Sequence, residues 1–405
     1  MDLSIKTIIG LFKQYKLEVI LTICLFSNLY PQFPPLLYYV AWGGLLYSAK
    51  ITGAYESGKR ANLAYFLIGL IIFSTIVNLA IYDYRWIMMC ILLYITLTKT
   101  SYKFYKFKDC FIFICLMAFV ITGPLNWYAH RIGYNYQLFH GLHAGSKFTI
   151  DFSGFTNNPM WLSAACGIGV ITLTYFVDLL WKRKKMMALI LLPVVYITLQ
   201  TLVWGGSRSA FGISLASSLL YIWLVNRSMS KTFISLVIVG LLSSIAIPII
   251  MEDSERMQTK KGGLNLVDAN GNTSRTALWD ARIEEFESSP IWGIGFGVTG
   301  IGGNAKTGRA ETGSGWLSVL SQTGIIGIVI VLLLIKRAIA PIDLLRQNKR
   351  MVLYSSVLVF LCLHTIFEAY LYQSGWYLCL ILWTIVSILD DYKQYYGKES
   401  EEMLE

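Results

Sequence analysis

A short turn of glycine and serine around one arginine is the first feature of the sequence that could do chemistry. Gly205-Gly206-Ser207-Arg208-Ser209-Ala210 lies between two long apolar segments, and its glycines allow the chain to turn tightly. A guanidinium beside such segments is costly unless it is paired, so we expect an anionic group to meet Arg208. The alternative is an arginine that reaches the aqueous surface along its own aliphatic stem.

A second chemical feature is a charged segment inside the long polar stretch 252–315. Apolar residues recur at helical spacing there, with charges between them: Leu278, Trp279, Ile283 and Phe286. This spacing predicts a short amphipathic helix that ends before Pro290 and carries Arg275 and Arg282.

Six glycines follow the predicted helix, between residues 293 and 303. The spacing Gly295-x-Gly297-x-x-Gly300 fits the dinucleotide-binding expression, but the strand and helix that should flank it are missing. We therefore reject a dinucleotide site here.

Three of the four histidines, His130, His140 and His143, lie in the segment 125–158. Their spacing matches no common zinc pattern, so an aromatic-rich interfacial loop is favoured over a metal site. His364 and Glu368 are four residues apart, and a shared helix would place both on one face. They could form a proton relay or a buried structural pair.

The composition limits which elements can position these residues. Of the 405 residues, 55% are hydrophobic and 14% are charged, and the mean hydropathy is +0.56. Soluble domains carry about 25% charged residues, which excludes a soluble globular protein. The sequence predicts an all-α, polytopic membrane protein. None of the seven cysteines is placed to staple an external loop.

Twelve apolar runs are long enough to cross a bilayer, whose core needs about 20 helical residues. They form a single transmembrane domain over 1–405, with external segments at 125–158 and 252–315. The predicted spans are 13–30, 33–49, 62–82, 84–99, 109–124, 159–180, 186–205, 209–226, 232–251, 316–335, 351–370 and 373–390.

The basic residues predict the orientation of these spans. With both termini in the cytoplasm, 23 of the 34 Lys and Arg residues fall on the cytoplasmic side. Seven of the other eleven lie in the stretch 252–315, which is too long for the rule to apply. The net charge of +10 therefore follows from topology and requires no nucleic-acid partner.

Several motifs together carry a resemblance to a known family. They are the Ser207-Arg208-Ser209 turn, Ser274-Arg275 with Trp279, Pro290 through Gly297, the run Trp316 to Gly327, and Phe152 through Pro159. In this order and placement the sequence resembles the O-antigen ligase and polymerase superfamily, which contains the WaaL and Wzy proteins.

The resemblance implies a membrane glycosyltransferase of the GT-C type. Such enzymes use a polyprenyl-diphosphate-linked glycan at the outer face of the cytoplasmic membrane, without a nucleotide sugar or an obligatory metal. Arg208 and Arg275 match the family's arginines, and arginine stabilises a departing diphosphate through charge-assisted hydrogen bonds. Arg282 matches less well. Arg282, Trp279, His140 and His143 are further candidates for contacts with the diphosphate or the glycan.

The resemblance also separates two activities within the superfamily. Its ligases typically carry a histidine just before the helix that here begins near Trp316, whereas polymerase-like members often have glutamate. This sequence has Glu311 in that region and no histidine. Glu311 is therefore the candidate general base or acceptor-positioning group. An exposed loop carboxylate without a catalytic role is the alternative.

The favoured function is a repeat-unit polymerase. It would transfer a growing glycan from polyprenyl diphosphate to the non-reducing end of a new lipid-linked unit of O-antigen, capsule or exopolysaccharide. A ligase acting on lipid A core or another acceptor is the alternative within the class, and a flippase for lipid-linked sugars is the alternative outside it. Expected partners are the lipid-linked substrate, membrane lipid, a chain-length regulator and a flippase, with no cofactor and no nucleic acid.

Overall fold

The computed structural model describes residues 15–79, 84–137, 152–181, 183–226, 274–296 and 313–402. This part of the chain is mostly helical. In chain order its helices are α1 Lys16–Phe26, α2 Leu36–Ile51, α3 Lys59–Val77, α4 Arg85–Leu93, α5 Tyr102–Arg131, α6 Pro159–Trp181, α7 Lys185–Trp204, α8 Arg208–Val225, α9 Ser274–Ser288, α10 Gly315–Ala338, α11 Ile342–Leu345, α12 Lys349–His364 and α13 Tyr377–Glu402.

Short irregular elements complete the list. A π-helical turn, Tyr94–Thr98, follows α4. Two-residue strands β1 Tyr55–Glu56 and β2 Lys99–Thr100 pair antiparallel, with Tyr55 opposite Thr100 and Glu56 opposite Lys99.

Several helices begin at a side chain that accepts a hydrogen bond from their own first turn. The caps are Ser101 before α5, Ser207 before α8, Ser314 before α10 and Asn348 before α12. Each satisfies one of the amide groups that a helix start leaves without an internal partner, which stabilises the helix by about 1 kcal/mol.

Six helices of the described residues are long and apolar enough to cross a membrane: α3, α5, α6, α7, α8 and α10. The all-α, polytopic membrane fold expected from the sequence is thereby confirmed. The count of twelve spans stays a prediction, and the predicted span 232–251 lies outside the described residues.

The chain divides into two compact units. The first consists of Met1–Ala54 and Ser101–Met257, and the second of Tyr55–Thr100 and Gln258–Glu405. In the first unit α6 packs against α5, α7 and α8. A side chain at Gly123 of α5 would meet Thr198 Oγ1 of α7 at 2.5 Å, so glycine allows these two helices to approach closely.

In the second unit α10 packs against α3, α9 and α13. A fully buried arginine, Arg60 at the start of α3, joins three elements. Its guanidinium donates to Asp391 Oδ1 at 2.6 Å on α13, and to the carbonyls of Leu97 at 2.8 Å and Lys99 at 3.2 Å. A buried charge requires such partners, since leaving it unpaired is strongly destabilising.

Two expectations about helix ends are wrong. α5 continues to Arg131, so residues 125–131 of the predicted loop are helical. α12 ends at His364, so Glu368 lies in the following turn instead of one helical turn further along the same face. Beyond this helix end, the carbonyl oxygens of Thr365 and Glu368 accept hydrogen bonds from the amide of Gly315.

Candidate functional site

In the first unit, Arg208 is the first residue of α8 and is exposed. Ser207 accepts a hydrogen bond from the amide of Ala210 at 3.3 Å, and this cap starts the helix at Arg208. The positive end of the helix dipole then adds to the charge of the guanidinium. The start of a helix favours an anion. The anionic partner expected for Arg208 stays a prediction.

The glycines before Arg208 set the turn between α7 and α8. Gly206 has φ +74°, a left-handed conformation that glycine adopts without strain. A side chain at Gly205 would meet Ser163 Oγ at 2.3 Å and the Pro159 carbonyl at 3.0 Å, so the end of α7 lies directly on the start of α6. The position of Arg208 is therefore fixed by backbone packing.

An aromatic cluster stands beside this turn. The ring of His130, at the end of α5, stacks on Trp204 at the end of α7, with centroids 3.7 Å apart and planes 12° apart. Phe152 meets both rings edge-on, at 5.2 Å and 5.8 Å. Trp204 is buried and His130 is exposed, so the histidine is the outer face of the stack.

The family-like segment Phe152 to Pro159 is a turn held by two asparagines. Asn126 accepts from the amide of Phe155 at 2.7 Å, and Asn135 accepts from Ser153 Oγ at 2.7 Å. A side chain at Gly154, which has φ +56°, would meet Asn126 Oδ1 at 2.3 Å. These contacts give the segment a structural role: it connects the ends of α5 and α6 beside the aromatic cluster.

In the second unit, α9 confirms the helix expected from the sequence. The predicted apolar face is wrong, because Ile283 is 43% exposed whereas Arg282 and Glu285 are buried. It packs against α10, and Trp279 Nε1 donates to the Gly313 carbonyl at 3.1 Å. Arg275 lies in the first turn of α9, and its side chain is outside the described part.

Arg282 is buried on the same helix together with Glu285. Its Nη1 lies 2.6 Å from Glu285 Oε2, and the side chains are only 4% and 1% exposed. Burial lowers the pKa of Arg282, and the neighbouring Glu285 raises it. Since the carboxylate already neutralises much of the guanidinium's charge, this geometry favours a structural role for Arg282 within α9.

The start of α10 is anchored from two sides. Besides the bond from Trp279 to Gly313, the amide of Gly315 donates to the carbonyls of Thr365 at 2.8 Å and Glu368 at 2.9 Å. A side chain at Gly315 would meet Thr365 Oγ1 at 2.2 Å. From Gly313 onward, the segment that leads into α10 is therefore held by hydrogen bonds to α9 on one side and to the turn after α12 on the other.

A break inside α10 explains the motif Ser321-Gln322-Thr323-Gly324. Gly324 has φ +64° and ψ −165°, which interrupts the helix. The freed carbonyls of Ser321 and Gln322 accept from the amides of Ile294 at 2.9 Å and Gly295 at 3.3 Å, and the amide of Ile325 donates to the Pro290 carbonyl at 2.9 Å. The described part of the glycine-rich segment therefore pairs with a broken helix.

The close approach at this break requires two glycines. A side chain at Gly293 would meet the Gln322 carbonyl carbon at 2.3 Å, and one at Gly324 would meet the Ile291 carbonyl oxygen at 2.3 Å. Ser74 Oγ of α3 also donates to the carbonyl of Gln322 at 3.0 Å. Of the rejected dinucleotide spacing only Gly295 is among the described residues, and its amide donates to the carbonyl of Gln322.

His364 takes part in a buried aromatic contact. Its ring stacks on Phe360 with centroids 5.2 Å apart, and its Nδ1 lies 3.3 Å from the hydroxyl of Tyr370. Tyr370 in turn donates to the Leu361 carbonyl at 2.9 Å. This closes the turn after α12 and favours the structural alternative for His364.

The predicted site residues thus divide by unit. Arg208 lies in the first unit, and Arg275, Trp279 and Arg282 share α9 of the second. Glu311, His140 and His143 lie outside the described residues. Among the described residues, no group of three or more His, Cys, Asp or Glu is arranged to hold a metal ion.

Sequence reasoning missed the contact between His130 and Trp204. These residues are 74 positions apart, and no local pattern in the sequence predicts that two helix ends will stack their rings. The only available signal was that the predicted topology places both residues on the outer side of the membrane.

The fold and its polar helix ends define a helical, multi-pass membrane protein. A family model described as O-antigen ligase matches residues 193–332, which include Arg208, α9 and most of α10. This match covers 140 of the 405 residues and confirms the resemblance to the O-antigen ligase and polymerase superfamily. It supports the transfer of lipid-linked glycans in general. No curated protein matches the chain.

Proposed function

We propose that this protein polymerises lipid-linked oligosaccharide repeat units. It transfers the growing glycan from polyprenyl diphosphate to the non-reducing end of a new lipid-linked unit, at the outer face of a bacterial cytoplasmic membrane. The observation that carries the proposal is Arg208, exposed at the capped start of α8 within the segment that matches the family.

The reaction breaks the bond between the anomeric carbon and the terminal phosphate oxygen. An acceptor hydroxyl attacks the anomeric carbon, its proton passes to a base, and the diphosphate leaves with the electron pair of the broken bond. Negative charge therefore develops on the diphosphate. Arg208 and Arg275 are the residues we propose to stabilise it, because a guanidinium binds phosphate oxygens in pairs.

Arg282 receives a secondary role in this proposal. Its ion pair with Glu285 fixes one edge of the guanidinium within α9. It then acts as a positioning residue for α9, the helix that carries Arg275 and Trp279.

Glu311 is the proposed base, and it supports a polymerase over a ligase. It occupies the sequence region where ligases of the superfamily typically have a histidine. Replacement of Glu311 by Gln should lower the rate at neutral pH by about a hundredfold or more, as loss of a general base does. A variant with unchanged activity and an unchanged pH profile would remove Glu311 from the mechanism.

The flippase alternative draws on the break in α10, because transporters often use broken helices around a binding site. Here, however, the backbone groups at Ser321, Gln322 and Ile325 are bonded to residues 290–295. They are occupied by the protein's own chain, which favours an architectural role for the break.

The test is an elongation assay with the purified full-length protein in liposomes. A single synthetic lipid-linked repeat unit is supplied, and the products are separated on a gel. A ladder of products is expected. Movement of the lipid between leaflets without any elongation would contradict an enzyme and support the flippase.

The ligase alternative is tested in the same liposomes by adding lipid A core as acceptor. A polymerase gives the ladder with or without this acceptor. If product appears only when lipid A core is present, and each acceptor molecule carries a single glycan, the protein is a ligase and the polymerase proposal is wrong.

A further inference from the structure

The second unit contains a cationic cavity that the glycan chemistry does not use. It has a volume of about 520 Å³ and lies between the start of α3 and the end of α10. Its lining combines three cations with one amide and two leucines: Lys59, Lys336, Arg337, Asn62, Leu63 and Leu333.

This cavity is far from the start of α10, where Ser314 caps the helix. Lys336 lies 21 residues after Gly315 on α10, which is about 30 Å of helix at a rise of 1.5 Å per residue, interrupted at Gly324. That is the thickness of a bilayer core. The positive-inside prediction assigns this end of α10 to the cytoplasmic face.

Positive charge exceeds negative charge around the cavity. Asp390 is shared by Arg337 at 3.0 Å, Lys393 at 3.5 Å and Arg60 at 3.4 Å, and Asp391 binds Arg60 at 2.6 Å. The carboxylates of Asp390 and Asp391 are therefore already paired with three cations. Among the described residues no carboxylate lies within salt-bridge distance of Lys59 or Lys336, which add two more charges.

The cavity is also partly apolar, which distinguishes it from a site for a free anion. Leu333 is 41% exposed and lines the cavity beside Lys336. On the same two helices, Phe66 is 60% exposed and Leu332 is 50% exposed. A cavity that combines cations with leucines, on helices that expose further apolar side chains, suits a molecule with an anionic head and an acyl chain.

We propose that this cavity binds an anionic phospholipid of the cytoplasmic leaflet. Lys59, Lys336 and Arg337 surround the phosphate, and Leu63 and Leu333 contact the first part of an acyl chain. Basic pockets between transmembrane helices on the cytoplasmic side bind anionic headgroups in this way. Because the lipid contacts both α3 and α10, it stabilises their packing.

The test is native mass spectrometry of the full-length protein in detergent, titrated with phosphatidylglycerol or phosphatidylcholine. The test variant is Lys59→Gln with Lys336→Gln. The matched control is Lys184→Gln with Lys185→Gln, which removes two exposed lysines from the same predicted side of the membrane. Each basic side chain near an anionic lipid is worth about fivefold in affinity.

We expect wild type to prefer phosphatidylglycerol over phosphatidylcholine by tenfold or more. The test variant should lose at least tenfold of the affinity for phosphatidylglycerol, and the control less than twofold. Equal binding of the two lipids, or equal loss in both variants, would overturn the proposal.

Competition with inorganic phosphate shows whether the cavity binds the phosphate of a lipid headgroup or a free phosphate ion. If millimolar phosphate displaces phosphatidylglycerol completely, the site binds a free anion and the lipid proposal is wrong. A further variant, Leu333→Asn, should weaken phosphatidylglycerol binding at unchanged charge, and unchanged binding in that variant would contradict the contact with the acyl chain. All the substituted residues are at least partly exposed, so the variants should fold.

Discussion

At the scale of single residues, three arginines of this membrane protein differ in how far they are buried. Arg60 is fully buried and bonded to Asp391, and Arg282 is buried against Glu285. Arg208 is exposed at the positive end of a helix dipole, where the local field favours an anion. The three side chains are chemically identical. Arg60 and Arg282 have structural partners, and ligand binding is the role that we propose for Arg208.

Arg208 is the residue whose replacement should affect catalysis most directly. We expect Arg208→Ala to lower the initial rate of the elongation assay by about 100- to 1,000-fold, the usual effect of losing a donor to developing charge. Arg208→Lys should fall between wild type and Ala, since lysine keeps the charge but loses the paired donors. The control is Arg183→Ala, which removes an exposed arginine at the other end of α6.

The amount of each variant in the membrane, measured by immunoblot, separates catalysis from folding. Full activity of Arg208→Ala at normal abundance would contradict the proposed role of Arg208. Loss of protein instead of loss of rate would assign Arg208 to folding.

The sequence was informative about residues where local spacing decides their position. The helical spacing of Leu278, Ile283 and Phe286 predicted α9, and Pro290 marked its end, from patterns within a few residues. The partner of Arg282 lies only three residues away, yet the predicted helix did not reveal that both would be buried. Burial depends on packing against α10, which local spacing does not encode.

At the scale of elements, the break in α10 shows how two distant motifs form one structure. The predicted span 316–335 matches α10 closely, but hydropathy contains no information about the interruption at Gly324. Residues 290–295 satisfy the broken helix, and they precede it by about 30 residues. A pattern of glycines is ambiguous in sequence, because the same spacing suits a phosphate loop, a flexible loop or a close backbone approach.

Substitution of Gly324 tests whether the break in α10 is needed for stability. Gly324→Ala should destabilise the protein by about 2–3 kcal/mol or more, because its φ and ψ are accessible essentially to glycine alone. An added side chain would also lie 2.3 Å from the Ile291 carbonyl oxygen. Thermal unfolding in detergent measures the change.

Gly69→Ala on α3 is the matched control for this substitution. Nothing lies within 4 Å of a side chain at Gly69, and alanine is the better helix former, so stability should rise slightly. If Gly324→Ala unfolds at the same temperature as wild type, the break is not the constraint that we infer.

The buried ion pair between α3 and α13 makes a second prediction at this scale. Arg60→Met should cost about 3–5 kcal/mol, because it leaves Asp391 buried without its main partner. Arg60→Met combined with Asp391→Met should recover much of this loss, since no unpaired charge remains. Lys50→Met, which removes an exposed lysine, is the control and should have little effect.

The melting temperatures of these variants give the coupling between the two residues. A double variant as unstable as the sum of the two single variants would show that Arg60 and Asp391 act independently. In that case the bonds of Arg60 to the carbonyls of Leu97 and Lys99 would be its main contribution.

At the scale of the whole molecule, the composition was enough to predict an all-α membrane protein, and the charges were enough to predict an orientation. The division into two compact units was not predictable in this way. Each unit combines segments that are distant in sequence: 1–54 with 101–257, and 55–100 with 258–405. Which helices pack together depends on close-packed glycines and buried polar pairs, which hydropathy averages out.

The orientation is a prediction on which both proposals depend. With 23 of 34 basic residues inside, the start of α8 faces outward and the end of α10 faces the cytoplasm.

Alkaline phosphatase is active only outside the cytoplasmic membrane, and green fluorescent protein exported through the same route does not fluoresce. We therefore expect active phosphatase when it is fused after Gly206 and inactive phosphatase after Lys184. Green fluorescent protein fused after Glu405 should fluoresce. The opposite pattern would place Arg208 in the cytoplasm, away from glycans at the outer face, and the cationic cavity on the outside, away from the cytoplasmic leaflet. One set of fusions thus tests the common premise of the catalytic and the lipid-binding proposals before either is measured.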